Sequence, residues 1–147
     1  MKYILIPILF VLLISCDDEK DYVAENEAEI LTYLEENDLV AQRSESGLHY
    51  IINNPGSGRQ ATAASRVQVV YRGYYTDGTV FDESDANGIV FGLNQVISGW
   101  TEGIAYFKEG GSGMLLIPAH LGYGNDDYAG IPGGSVLLFD ITLVSVN

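Results

Sequence analysis

The chain has 147 residues, enough for one packed domain with extensions. Its formal net charge is −13, from 20 acidic residues against seven Lys and Arg, so it lacks the basic footprint that a nucleic-acid partner requires. Two histidines and one cysteine argue against a structural zinc cluster.

The first residues are Met1-Lys2-Tyr3, followed by an apolar run from Ile4 to Ile14 broken by Pro7. A basic start and a short apolar run predict a secretory signal over residues 1–15. The run falls short of the ~20 residues that span a bilayer. It ends Leu13-Ile14-Ser15-Cys16, which resembles the lipobox of bacterial lipoproteins, where the cysteine is acylated and becomes the new N-terminus. That resemblance implies lipidation at Cys16 and a membrane partner held through the anchor. It also implies a place in the cell envelope of a Gram-negative-type bacterium, facing the periplasm or the surface. The alternative is an ordinary leader followed by a stray cysteine. A lone cysteine can form no internal disulfide, which suits an acyl anchor.

Half of the 20 acidic residues fall between Asp17 and Asp38, opposed there only by Lys20. From about Ala24 to Glu36, glutamates crowd the first turns of a predicted helix, where the helix dipole favours them. Ile30, Leu31 and Leu34 give it a narrow apolar strip, and Asn37-Asp38 stops it. A spacer helix docking weakly on the domain is expected, with a dimerisation helix as the sharper alternative. Residues 16–43 thus read as a lipidated N-terminus, acidic spacer and helix, and residues 44–147 as the compact domain. The oligomeric state is not legible.

Strands are predicted at Leu48–Ile52, Val67–Tyr75, Val80–Ser84, Ile89–Leu93, Ser112–Pro118 and Ser135–Val146 from their β-branched and aromatic bias. Asp77-Gly78 is a hairpin signal between the second and third. His49, with no second histidine or cysteine nearby, reads as a strand-surface residue. Val69, Tyr71 and Gly73 share one face, as do Leu137, Phe139, Ile141 and Leu143, with Asp140 outward. Between the strands, Trp100, Ile104 and Phe107 recur at helical spacing, with Ser98 as the expected N-cap. The long connection from Ala119 to Pro132 is of a length that is often functional. The reading is an α+β fold, a curved antiparallel sheet with one short helix lying across it.

The stretches Gly73–Asp82 (GYYTDGTVFD), Val96–Gly103 (VISGWTEG) and Ile117–Gly124 (IPAHLGYG), with Ile131-Pro132 and Phe139-Asp140, occur in an order that closely resembles the FKBP-type peptidyl-prolyl cis-trans isomerases. The resemblance covers roughly Leu48 to Val146. It implies a half-barrel antiparallel sheet of about five strands wrapped on one short helix. It also implies a shallow apolar pocket with Trp100 as floor and Tyr71, Phe81, Val96, Ile97 and Phe139 as walls. Tyr123 would offer its hydroxyl to a substrate carbonyl and Ile97 its backbone N–H, with Asp82 the acidic group near the reacting amide. Ile89 stands at a wall position that is usually aromatic, and Ile131 borders the pocket. Gly133-Gly134 follow Ile131-Pro132 where a second proline is common. The implied substrates are proline-containing, unfolded or exported polypeptides, with no cofactor and no metal. A chaperone or binding module using the same cleft without turnover is the alternative.

Overall fold

The computed structural model describes residues 22–147; the leader, Cys16 and the acidic residues that follow it lie outside the described residues. In chain order the elements are α1 (Tyr22–Glu36), β1 (Gln42–Arg43), β2 (His49–Asn54), β3 (Arg66–Tyr74), β4 (Val80–Glu83), β5 (Ile89–Gly92), α2 (Ser98–Ile104), β6 (Ser112–Ile117) and β7 (Leu137–Val146). A single 3-10 turn at Ala119–Leu121 opens the long loop between β6 and β7. The strands form one antiparallel sheet in the order β1-β2-β6-β7-β3-β4, and β5 pairs with β3 as well. The sheet has seven strands where the family resemblance implies about five: six fall on the stretches with strand bias, and the two-residue β1 is added at the edge. β1 begins before residue 44, so the sheet starts upstream of the expected domain boundary. No helix among the described residues is long and apolar enough to cross a membrane.

Alternation along β3 and β7 sorts their side chains onto two faces. Val67, Val69, Tyr71, Leu137, Phe139, Ile141 and Leu143 face one core together with Leu115, Ile117, Trp100, Ile104 and Phe107. On that face α2 comes unusually close to β6. A Cβ on Gly99 would lie 2.6 Å from Ile117 Cγ2, and one on Gly103 would lie 2.7 Å from Leu115 Cδ2. Glycines four apart thus give the helix a bare stripe that admits the β6 side chains. Ser98 does not cap the helix. The helix is entered one residue earlier, from extended Ile97 (φ −56°, ψ 148°), whose carbonyl accepts from the N–H groups of Trp100 and Thr101. Phe107 lies beyond the helix, yet it is fully buried beneath Gly113.

The opposite face is closed by α1. Ile30 and Leu34 pack with Leu116, Val136 and Leu138 in a second cluster. Polar ties surround this contact: Glu27 accepts from Arg43 Nε at 3.0 Å, and Glu29 accepts from Thr76 Oγ1 at 2.6 Å. The helix is therefore an integral layer and not a weakly docked spacer, although Leu31 stays half exposed. His49 is corrected by the same contact. On β2 it points to the face that α1 covers, and it is 3% exposed, with Nε2 3.6 Å from Glu27 Oε1. Burial lowers its pKa below the usual 6.5, opposed by the Glu27 charge.

Fully burying an aliphatic side chain is worth ~1.5–3 kcal/mol, and Ile30 is completely buried. Ile30→Ala is expected to destabilise the whole chain by about 2–5 kcal/mol in urea, in a single transition seen alike by far-UV dichroism and Trp100 fluorescence. A loss under ~1 kcal/mol, or helix melting ahead of the sheet, would show α1 to be a mere appendage.

Candidate active site

A cleft of about 950 Å³ opens at the end of the core where α2, β3, β4, β7 and the 119–134 loop meet. Its floor is Trp100, 4% exposed. The indole meets three rings edge-on: Tyr71 at 5.1 Å, Phe91 at 5.3 Å and Phe139 at 5.3 Å between centroids, with interplanar angles of 83–84°. Phe81 stands perpendicular to Phe139 at 5.5 Å, and Tyr75 tilts against Phe81 at 4.9 Å. Such edge-to-face contacts each add ~0.5–1.5 kcal/mol to area burial, so the rings of the cage brace one another. The Trp100 Nε1–H is buried with no hydrogen-bond acceptor among the described residues, as befits a floor made of rings.

Two backbone devices aim the walls. β3 pairs Gly73 with Asp82 but Tyr74 with Val80, leaving Phe81 as the extra residue of a bulge. In a regular strand Phe81 and Asp82 would point to opposite faces; with the bulge, both line the cleft. Gly73 leaves the space that the Phe81 and Phe139 rings occupy, since a Cβ there would lie 2.7–2.8 Å from them. Asp82 Oδ2 accepts from the Tyr71 hydroxyl at 2.8 Å. Ser84 fixes Tyr71 from behind: its hydroxyl accepts from the Tyr71 N–H and its own N–H donates to the Tyr71 carbonyl.

The loop after β6 supplies the far side. Ala129 (φ 48°) and Gly130 (φ 85°) make a tight left-handed turn, across which Tyr128 and Ile131 exchange both backbone hydrogen bonds. Tyr128 stacks on Tyr123 at 5.2 Å and 14°, raising a two-ring lip over the cleft. Val96 and Ile97 line the edge nearest α2, and the Ile97 N–H has no backbone acceptor among the described residues.

The structure therefore brings Tyr71, Phe81, Asp82, Val96, Ile97, Trp100, Tyr123, Ile131 and Phe139 to one cleft. Ile89 is not among them: it is 41% exposed on β5 and lines no part of the cleft. Only Leu93, Asn94 and Gln95 join β5 to Val96, and this short link draws the strand's end, with Phe91, against the indole. The wall is aromatic after all. Tyr75, Gln95, Tyr128, Ala129 and Gly130 were also missed. For Tyr75 a signal existed in the alternation Tyr71, Gly73, Tyr75. Tyr128 follows two aspartates in a loop, where no periodicity marks it.

Among families, the model for FKBP-type peptidyl-prolyl cis-trans isomerases matches residues 57–144. The chain is 46% identical over 106 residues to the probable FKBP-type peptidyl-prolyl cis-trans isomerase FkpA of Neisseria meningitidis serogroup B, covering 69% of this chain and 39% of that protein. With the FkpA of Escherichia coli K12 it shares 39% over 133 residues, 88% of this chain and 49% of the relative. The chain thus spans half or less of the length of these relatives. The crystal structure of Escherichia coli FkpA superposes with a TM-score of 0.76 at 37% identity, covering 85% of this chain and 61% of that one. A peptidyl-prolyl cis-trans isomerase from Pseudomonas syringae pv. tomato superposes with a TM-score of 0.73 at 30% identity, over 88% and 98% respectively.

The hydroxyls around the cleft are hard to ionise. Burial first, then the hydrogen bond to Asp82, pushes the Tyr71 pKa upward. Burial and the Asp82 charge do the same for Tyr123, and burial and Asp77 for Tyr75. Tyr74 and Tyr106 are raised as well, burial again leading. Each is raised only in the fold, so the unfolded chain ionises first, near the ordinary value of 10.0. Stability from these groups is therefore complete below pH 10.0 and is lost as pH rises beyond it. The urea midpoint is expected to fall above pH 10.0, and a midpoint that holds or rises there would contradict the shifts.

Proposed function

The chain belongs to the FKBP-type peptidyl-prolyl cis-trans isomerase family, and we propose that it isomerises X-Pro bonds in proline-containing polypeptides, assisting exported proteins to fold. The observation that carries this is the interlocked ring cage over Trp100, with the Tyr71–Asp82 pair at its rim. Rotation about a peptide bond meets a barrier of about 18–20 kcal/mol because planarity carries amide resonance. At X-Pro both isomers are populated, and unassisted exchange takes tens to hundreds of seconds.

The twisted transition state has lost that resonance and is less polar than either planar state. An apolar cleft that sheds water therefore favours it over the ground states. In this reading the proline ring rests on Trp100, between Tyr71, Phe81, Val96, Ile97 and Phe139. Ile131 and the Tyr123–Tyr128 lip bound the chain beyond it. The Tyr123 hydroxyl and the Ile97 N–H are donors for substrate carbonyls, and Asp82 is the acidic group near the rotating amide. No nucleophile is needed: each ~1.4 kcal/mol of preference for the twisted form is tenfold in rate. Neither a metal nor a cofactor enters the reaction.

The proposed setting is the envelope of a Gram-negative-type bacterium, with the chain held to a membrane by an acyl group on Cys16. The single cysteine, one small residue after the short apolar run, supports it. Mass spectrometry of the mature protein from native membranes is expected to find an acylated N-terminal Cys16, whereas an intact Met1 would rule out processing.

Catalysis is tested by refolding a protein whose slow step is trans-to-cis proline isomerisation. Acceleration is expected, reduced roughly tenfold or more by Phe81→Ala or Asp82→Ala in variants that remain folded. Suppressed aggregation with no acceleration would make the cleft a binding site without turnover.

A further inference from the structure

Asn26 is one of two buried polar residues among the described residues, 1% exposed near the start of α1. Its side chain is spent entirely on a distant segment. Nδ2 donates to the Gly134 carbonyl at 2.9 Å, and Oδ1 accepts from the Ala119 N–H at 2.8 Å. Ala119 and Gly134 lie near the two ends of the β6–β7 connection that carries Tyr123, Tyr128 and Ile131 to the cleft. Within the loop, Gly124 donates to the Ala119 carbonyl and accepts from the Gly134 N–H, each at 2.9 Å. Backbone hydrogen bonds thus chain Ala119, Gly124 and Gly134 together, and Asn26 takes up the two groups left over. Gly124, the hinge of this neck, directly follows Tyr123.

Two further contacts of α1 point the same way. The Tyr22 ring lies over Gly134, so close that a Cβ there would sit 2.1 Å from Tyr22 Cε1. Glu29 holds Thr76, next to Tyr75 of the opposite wall. The helix therefore grips segments on both sides of the cleft.

We infer that Asn26 is a positioning residue for the reaction: it closes the neck of the 119–134 loop and so sets where Tyr123, Tyr128 and Ile131 stand over the substrate. This rests on the isomerase reading given above. The ring cage and Trp100 do not depend on it, because they stand on β3, β5, β7 and α2. Losing Asn26 thus leaves the proline seat intact and loosens the groups facing the twisted amide, which lowers kcat more than it raises KM. A small misplacement of such groups is enough to cost a large factor in rate.

The test compares Asn26→Ala, Asn26→Asp and, as a control, Val146→Ala. Asp keeps the acceptor for Ala119 but loses the donor to Gly134. Val146 is buried at the far end of β7, away from both cleft and helix. Refolding kinetics, thermal melts and amide hydrogen exchange are measured on each. Asn26→Ala is expected to lower kcat about tenfold with KM changed under about threefold. Its exchange should rise at Gly124, Ile131 and Gly134, while the amides of β6 and β7 stay protected. Asn26→Asp should show the same local pattern, and it carries the test if the Ala variant fails to fold. Val146→Ala should lower Tm with kcat unchanged. The inference is overturned if both Asn26 variants keep wild-type kcat, if Val146→Ala loses as much kcat per degree of Tm, or if exchange rises evenly across the sheet. Should the wild-type chain itself fail to isomerise, the proposed reaction falls, and the exchange pattern still decides whether Asn26 fixes the loop.

Discussion

The contact on which the rest of the molecule depends is the edge-on seating of the Trp100 indole among Tyr71, Phe91 and Phe139. Those rings come from three strands far apart in sequence, and the indole comes from a helix of seven residues. A helix so short has little stability of its own. It is held because Gly99 and Gly103 let it lie directly on Ile117 and Leu115, which presents Trp100 to the strands. The cleft is therefore a by-product of how the core closes. Its floor is core, its walls are the open ends of core strands, and its apolar lining comes from that origin.

The sheet has two faces, and both matter. The inner face makes the ring cage. On the outer face α1 buries Ile30 and Leu34 and reaches round the sheet through Asn26, Glu27 and Glu29. Each of those polar residues binds a different segment: the loop over the cleft, the β1–β2 edge and the turn before β4. A helix whose composition suggests a solvated spacer thus joins parts of the domain that the sheet alone leaves independent.

Much of this was legible in the sequence because the signals were local. Alternation in β3 and β7 sorts Tyr71 and Phe139 inward, and the Ser-Gly-Trp stretch announces a short helix. The resemblance to the isomerase family covered the same residues that converge on the cleft. What escaped depends on distance in the chain. His49 looks like a surface residue until α1 is laid over β2, and nothing near residue 49 forecasts that. Asn26 looks like one more polar position in an acidic helix, and its partners are 93 and 108 residues away. Ile89 and Phe91 share a face, so periodicity cannot choose between them; the three-residue link to Val96 does. Ser98 is a good cap by type, but extended Ile97 already supplies the carbonyl on which the first turn closes.

The bulge at Phe81 has a consequence for how such a site can change over time. Regular pairing would place Phe81 and Asp82 on opposite sides of the sheet, so the cleft has both as wall only because β4 carries one residue more than its partner strand needs. It behaves as a dislocation does in a crystal lattice, a local misfit that cannot be smoothed out by small adjustments. Side chains around it can be exchanged one at a time and the cup remains. Removal of a single codon between Val80 and Glu83 would instead heal the misfit, leaving an intact sheet whose cup has lost one side of its wall.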